Sequence, residues 1–178
     1  SALLSFCGDD HLPNEIVSHI RLLLGHRSYK IRAAALTVLA FHSDKMTHDD
    51  LRRLLNDESS YVRMSALFAL NRCDDMRHEL TEDVIKLFSD TDYNLSYCAI
   101  KLVSTINNQS LIDPLISGLY DDAINQRVST FGVRCSTLEA ITGVSIEPVP
   151  EWREGQCFYS NRSTQARLHI AQKWAQWR

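Results

Sequence analysis

The residues best equipped for chemistry in this 178-residue chain are its paired carboxylates, seven histidines and five cysteines. The acid pairs are Asp9-Asp10, Asp49-Asp50, Asp74-Asp75 and Asp121-Asp122. Acid–base catalysis needs a companion base and a pocket beside such a pair. All four pairs fall at inter-helix breaks or helix starts, where capping and solvation account for them. Cys7, Cys73, Cys98, Cys135 and Cys157 are widely spaced and no CxxC occurs, so neither a zinc knuckle nor a redox dithiol is indicated. An odd cysteine count suits free thiols in a reducing cytosol, and Cys98 and Cys135 lie in helical patterns, where cysteine acts as a small hydrophobe. Cys7 and His11 share one helical turn, but two ligands are too few for a closed zinc site. His19, His26, His42, His48 and His169 stand singly, with His42 and His48 flanking a turn and expected in water. No GxSxG elbow, phosphate loop or dinucleotide fingerprint is present. Arg52-Arg53 reads as a solvated face. The expectation is a chain with no catalytic, cofactor-binding or metal-binding residues, and therefore not an enzyme.

The elements that carry these residues form a repeat. Ile31, Arg32, Ala35 and Leu36 align with Val62, Arg63, Ala66 and Leu67. Leu95, Ser96, Ala99 and Ile100 follow, then Val133, Arg134, Thr137 and Leu138. Upstream of each lies another apolar helical stretch, around residues 16–24, 51–55, 84–88 and 111–119. Leu23, Leu54, Leu87 and Leu119 close these stretches three residues before His26, Asp57, Asp90 and Asp122. Apolar positions at i, i+3, i+4 and i+7 mark helices, and Val62, Ala66, Ala69 and Leu70 fall on one stripe. A lone hairpin cannot bury both its faces, so hairpins of this kind must stack. Thr47 and Thr81, each followed by acids, read as helix starts.

The spacing Asp57, Val62, Arg63, Ala66, Leu70 resembles the HEAT-repeat signature in its bacterial short form, the phycocyanobilin-lyase-like HEAT repeat. The resemblance spans residues 15–142. It implies an all-α, right-handed superhelix of four hairpins, and a ladder in which the turn Asp of one repeat meets the Arg of its neighbour. Asp57, Arg32, Arg63 and Arg134 match that ladder, whereas His26 replaces the Asp in the first repeat and Ser96 the Arg in the third. Deoxyhypusine hydroxylase, also HEAT-like, binds iron through several His-Glu pairs, but here His78-Glu79 is the only one.

The ends depart from the repeat. Residues 1–14 read as an N-terminal cap. The fourth hairpin shows an apparent insertion over residues 121–131. Residues 143–161, with Pro148, Pro150, Trp152, Gly155, Phe158 and Tyr159, break the pattern. A closing helix follows, carrying Ala166, Ile170, Trp174 and Trp177 on one face. Residues 138–143, with tryptophans beyond, are similar to the C-terminal end of other bacterial HEAT-repeat proteins, which implies a single domain closed by a cap over residues 143–178.

On the second helices, the positions opposite the buried stripe are Met64, Phe68 and Asn71, with Ala33, Thr37 and Ala40, Tyr97, Lys101 and Ser104, and Cys135, Glu139 and Thr142 as equivalents. Met64, Phe68, Tyr97 and Lys101 are the candidate partner-binding residues, and burial of the first three would remove them. A net charge of −3 gives no basic surplus for nucleic acid, and no apolar run is long enough to span a membrane. The expected function is non-catalytic, cytoplasmic protein binding, without cofactor, nucleic acid or membrane. The resemblance leaves a chromophore-lyase-type enzyme subunit and a HEAT-like DNA-binding protein as alternatives.

Overall fold

A computed structural model describes residues 12–146 and 164–178. The N-terminal cap expected over residues 1–14 and the break at 143–161 therefore fall largely outside the described residues, as do Cys7, Asp9-Asp10, His11, Trp152 and Cys157. Every regular element among the described residues is helical, as the sequence predicts. The chain divides into two compact units, residues 1–84 and 85–178.

The first unit contains two helical hairpins, α1 (Asn14–Leu23) with α2 (Tyr29–Phe41) and α3 (His48–Leu55) with α4 (Ser60–Arg72), then the short α5 (Asp74–Arg77). In α4, Val62, Ala66, Ala69 and Leu70 recur at helical spacing, and all four are buried. The second helices α2 and α4 pack side by side. Ala35 and Ala66, both without exposed surface, leave room for that approach. Leu36, Leu39, Leu51, Leu54 and Leu55 are also buried in this core, each stabilising the fold by about 1.5–3 kcal/mol relative to exposure. Thr47 caps α3 by accepting the Asp50 amide at 3.2 Å. The expected cap at Thr81 is not formed. Thr81 is buried in α6 (Thr81–Ile85), and its hydroxyl donates to the Arg77 carbonyl at 3.0 Å instead.

In the second unit a 3-10 turn (Lys86–Ser89) leads to α7 (Tyr93–Val103), then α8 (Ile112–Ile124), α9 (Val128–Thr142) and α10 (Thr164–Trp177). Asp92 caps α7 by accepting from the amides of Asn94 and Leu95. Helix α9 packs on α7 and α8, and α10 packs on α8. Leu95 and Val133 are buried as the repeat requires. The apparent insertion at 121–131 is not a loop. Helices α8 and α9 lengthen to 13 and 15 residues and absorb it, leaving a three-residue turn. At the end of α9, Gly143 takes a left-handed conformation (φ 69°) and its amide bonds to the Glu139 carbonyl at 2.9 Å. That is the usual helix-ending role of glycine. The buried face of α10 is Arg167, Ile170, Ala171 and Trp174. Ala166 is only part-covered and Trp177 is exposed, stacked edge-on against Trp174.

One close approach in this unit is testable. A Cβ on Gly118 would sit 2.2 Å from the guanidinium carbon of Arg134. Arg134 is buried and hydrogen-bonded, so it has little freedom to yield. Gly118→Ala is expected to destabilise by about 1–3 kcal/mol, although alanine is the better helix former by about 1 kcal/mol. A urea titration measures the outcome, and unchanged or raised stability would show that Arg134 can shift.

Candidate protein-docking surface

The chemically capable residues are mostly used in holding the repeats together. The turns before the second helices share one local geometry. The Oδ1 of Asp57 accepts the Ser59 amide and the Oδ1 of Asp90 accepts the Asp92 amide, both at 2.9 Å. In the first repeat, the Nδ1 of His26 accepts the Ser28 amide at 3.0 Å. Histidine thus reproduces the aspartate turn with a ring nitrogen. We expect His26→Ala to cost about 1 kcal/mol, as for a lost cap, and His26→Asp to recover most of it in thermal unfolding. Equal behaviour of the two variants would mean that the bond contributes nothing.

Arg32 is held at several points. Its Nε and Nη2 donate to the two carboxylate oxygens of Asp57 at 2.8 and 2.7 Å, and its Nη1 donates to the carbonyls of His26 and Arg27. A bidentate pair of this kind fixes register as well as charge. The nearby Asp57 carboxylate holds the Arg32 pKa above its ordinary value, against the cost of burial. Arg63 repeats the inward contacts, with its Nη1 on the carbonyls of Asp57 and Glu58. The fourth repeat departs from the ladder. Arg134 meets Asp122 of its own hairpin, Nε to Oδ2 at 2.7 Å, rather than an aspartate of its neighbour. One substitution and one shift of position accompany this. Ser96 stands where the third repeat would supply an arginine, and its hydroxyl donates to the Phe88 carbonyl. Asp122 lies inside α8, buried, instead of in a turn.

A second ladder runs through the first helices. The Nε of Arg21 donates to Asp50 at 3.1 Å, and the Nε of Arg52 donates to Asp83 at 3.0 Å. Arg52 is therefore not merely solvated, and Asp50 does more than cap α3. The signal was available in the sequence, because Arg21 and Arg52 are 31 residues apart, the repeat offset.

The histidines and cysteines divide differently. His42 is buried, contrary to expectation. His48 sits 3.1 Å from Glu79 through its Nε2, so Glu79 is paired with a residue other than its neighbour His78. Cys73, Cys98 and Cys135 are free thiols. Burial and the charge of Asp92 push the Cys98 thiol up, away from the reactive thiolate. Among the described residues no three His, Cys, Asp or Glu side chains gather as a metal site would need, and no helix is long and apolar enough to cross a membrane.

What remains on the surface is apolar. Phe68 is 61% exposed and Met64 part-exposed on α4 of the first unit, while Tyr97 and Lys101 are exposed on α7 of the second. Each pair lies one helical turn apart. The equivalents Ala33 and Ala40 on α2 and Cys135 on α9 are buried, whereas Thr37 on α2 and Glu139 and Thr142 on α9 are part-exposed. In the first unit this face continues onto α2. Arg72 is one turn beyond Phe68, and its guanidinium carbon lies 4.5 Å from the ring centre of Phe41, which is 48% exposed. The Arg72 Nε donates to the Ala40 carbonyl at 3.1 Å. Met64, Phe68, Arg72 and Phe41 thus form one connected surface. Sequence reasoning missed Phe41 and Arg72, although they occupy equivalent positions 31 residues apart. It also missed Tyr29 and Tyr61, exposed at the starts of α2 and α4 and edge-to-face with centres 5.8 Å apart. Their spacing of 32, continued by Tyr93, was the signal.

These features define a helical-hairpin repeat protein held by arginine–aspartate ladders. The family model for HEAT repeats matches residues 17–79, from within α1 to beyond α5, and supports a HEAT-repeat protein. No curated protein matches the chain.

Proposed function

We propose that the chain is a non-catalytic protein-binding scaffold, in which the exposed faces of the second helices dock a protein partner. HEAT repeats commonly mediate protein interaction and scaffolding. The observation that carries the reading is the Met64–Phe68–Arg72–Phe41 surface of the first unit. Aromatic residues, Met and Arg are the types enriched in protein interfaces and aromatic residues and Arg among their hot spots. The proposal takes the repeats to be of the short phycocyanobilin-lyase-like type, on the spacing of Asp57, Val62, Arg63, Ala66 and Leu70. It places the protein in a reducing cytoplasm, in keeping with its free thiols, and away from nucleic acid, in keeping with its acidic net charge.

The test is affinity capture with the full chain from its organism of origin, in parallel with Phe68→Ser. The expected result is a protein that co-purifies stoichiometrically with the unmodified chain and is depleted roughly tenfold or more on the variant, as for a hot-spot side chain. Recovery of no protein under gentle conditions would overturn the reading. Undiminished capture by Phe68→Ser would move the site elsewhere.

A further inference from the structure

The basic groups near this surface are not equivalent. Arg21, Arg32 and Arg52 are all spent on carboxylates. Arg72 is exposed, and among the described residues no carboxylate lies in ion-pair range of it; Asp75, also exposed three residues on, does not pair with it. Its orientation is nonetheless fixed. The Nε is tied to the Ala40 carbonyl and the guanidinium carbon lies over the Phe41 ring. Among the described residues the terminal nitrogens, which carry the remaining donors, meet no partner. An arginine held in this way has already lost much of the freedom that binding would cost it. On either side of it stand exposed apolar groups, Phe41 on α2 and Phe68 with Met64 on α4.

We infer that this surface takes a protein segment presenting a carboxylate beside an apolar side chain, the carboxylate on the Arg72 fork and the apolar group on Phe68 and Met64. The inference rests on the protein-binding reading above and deepens it. Charge complementarity commits the occupant. A planar guanidinium with two free terminal nitrogens matches a carboxylate bidentately, and a segment with no acid would leave this cation partly desolvated and unpaired. Phosphate would also fit the fork, but it offers nothing to the apolar side chains around it.

The experiment pans a random peptide display library against the full chain. Enriched peptides are then measured by fluorescence anisotropy alongside isosteres in which Asp becomes Asn or Glu becomes Gln. The expected result is enrichment of acid-plus-apolar peptides, with the amide isosteres binding roughly tenfold more weakly, the worth of a hydrogen bond to a charged group. Arg72→Gln abolishes that difference, and Arg72→Lys, which keeps charge without the fork, restores only part of it. Unchanged thermal unfolding of both variants establishes that the fold is intact. Isosteres that bind as well as the acids, a preference that survives Arg72→Gln, or failure to enrich any peptide would overturn the inference. So would a dimer in sedimentation that Phe68→Ser dissociates, which would assign the face to a second copy. The protein-binding reading falls only with the capture experiment, so the two failures are separable.

Discussion

Replacing Arg134 with alanine will cost the fold about 3–5 kcal/mol, the range for breaking a buried ion pair by removing one partner. Arg134 and Asp122 are 2% and 1% exposed. Besides Asp122, the guanidinium serves the Pro114 carbonyl at 3.1 Å and the Phe88 carbonyl at 2.5 Å, so one truncation takes the bonded cation from a buried carboxylate and one donor from each of two carbonyls, which keep the hydroxyls of Ser117 and Ser96. The pH dependence follows from the direction of the Asp122 shift. Burial pushes this carboxyl above its ordinary value, while Arg134 and Arg127 pull it back. Without Arg134 the carboxyl rises further. A group whose folded pKa lies above its unfolded one favours folding below the unfolded value, and that contribution is lost as pH rises through the folded value. The variant's deficit is therefore largest at neutral pH and shrinks in acid, as Asp122 takes up a proton. Urea midpoints across that range measure both effects. A loss below about 1 kcal/mol, typical of exposed pairs, would show that water reaches the pair.

The same pair shows where reading the sequence stopped. The spacing that places Asp57 and Asp90 in turns predicts a turn for Asp122 as well. The longer helices of the fourth hairpin put it mid-helix instead, because an offset of 38 is satisfied equally by an inserted loop or by extra helical residues. Periodicity does fix what is buried. Val62, Ala66, Leu70, Leu95 and Val133 all lie inward, since a helix can face a neighbour with only one stripe. It says much less about what a side chain does once outward. Arg52 and Arg72 look alike in sequence, yet Arg52 joins a ladder and Arg72 rests on a ring. The difference lies in which neighbour each meets, and that requires the packing of successive helices. Among the candidate surface residues, Met64 and Phe68 were legible as an outward face of α4. Their extension to Phe41 depends on a contact between hairpins that the pattern within one helix cannot show.

The second large effect is expected at the closing helix. Trp174 is fully buried, and α10 packs on α8. Trp174→Ala should cost about 3–5 kcal/mol, the usual range for a large aromatic side chain removed from a core. Among the described residues the buried indole Nε1 meets no hydrogen-bond partner, which leaves the donor at a cost in the native protein. Trp174→Phe, which removes that donor while keeping most of the apolar contact, should therefore lose much less than the alanine variant. Two readouts distinguish a cap from a tethered tail. If α10 is part of the core, the alanine variant loses hydrogen-exchange protection in Leu115 and Leu119 on α8 as well as in α10 itself. If α10 merely rests on the surface, the loss of protection stays within α10 and the midpoint moves little. The first outcome is expected because Leu115 and Leu119 have no exposed surface. An apolar helix face uncovered at the end of a repeat array destabilises the hairpin beneath it and invites association with other copies, so the alanine variant should also show concentration-dependent sedimentation.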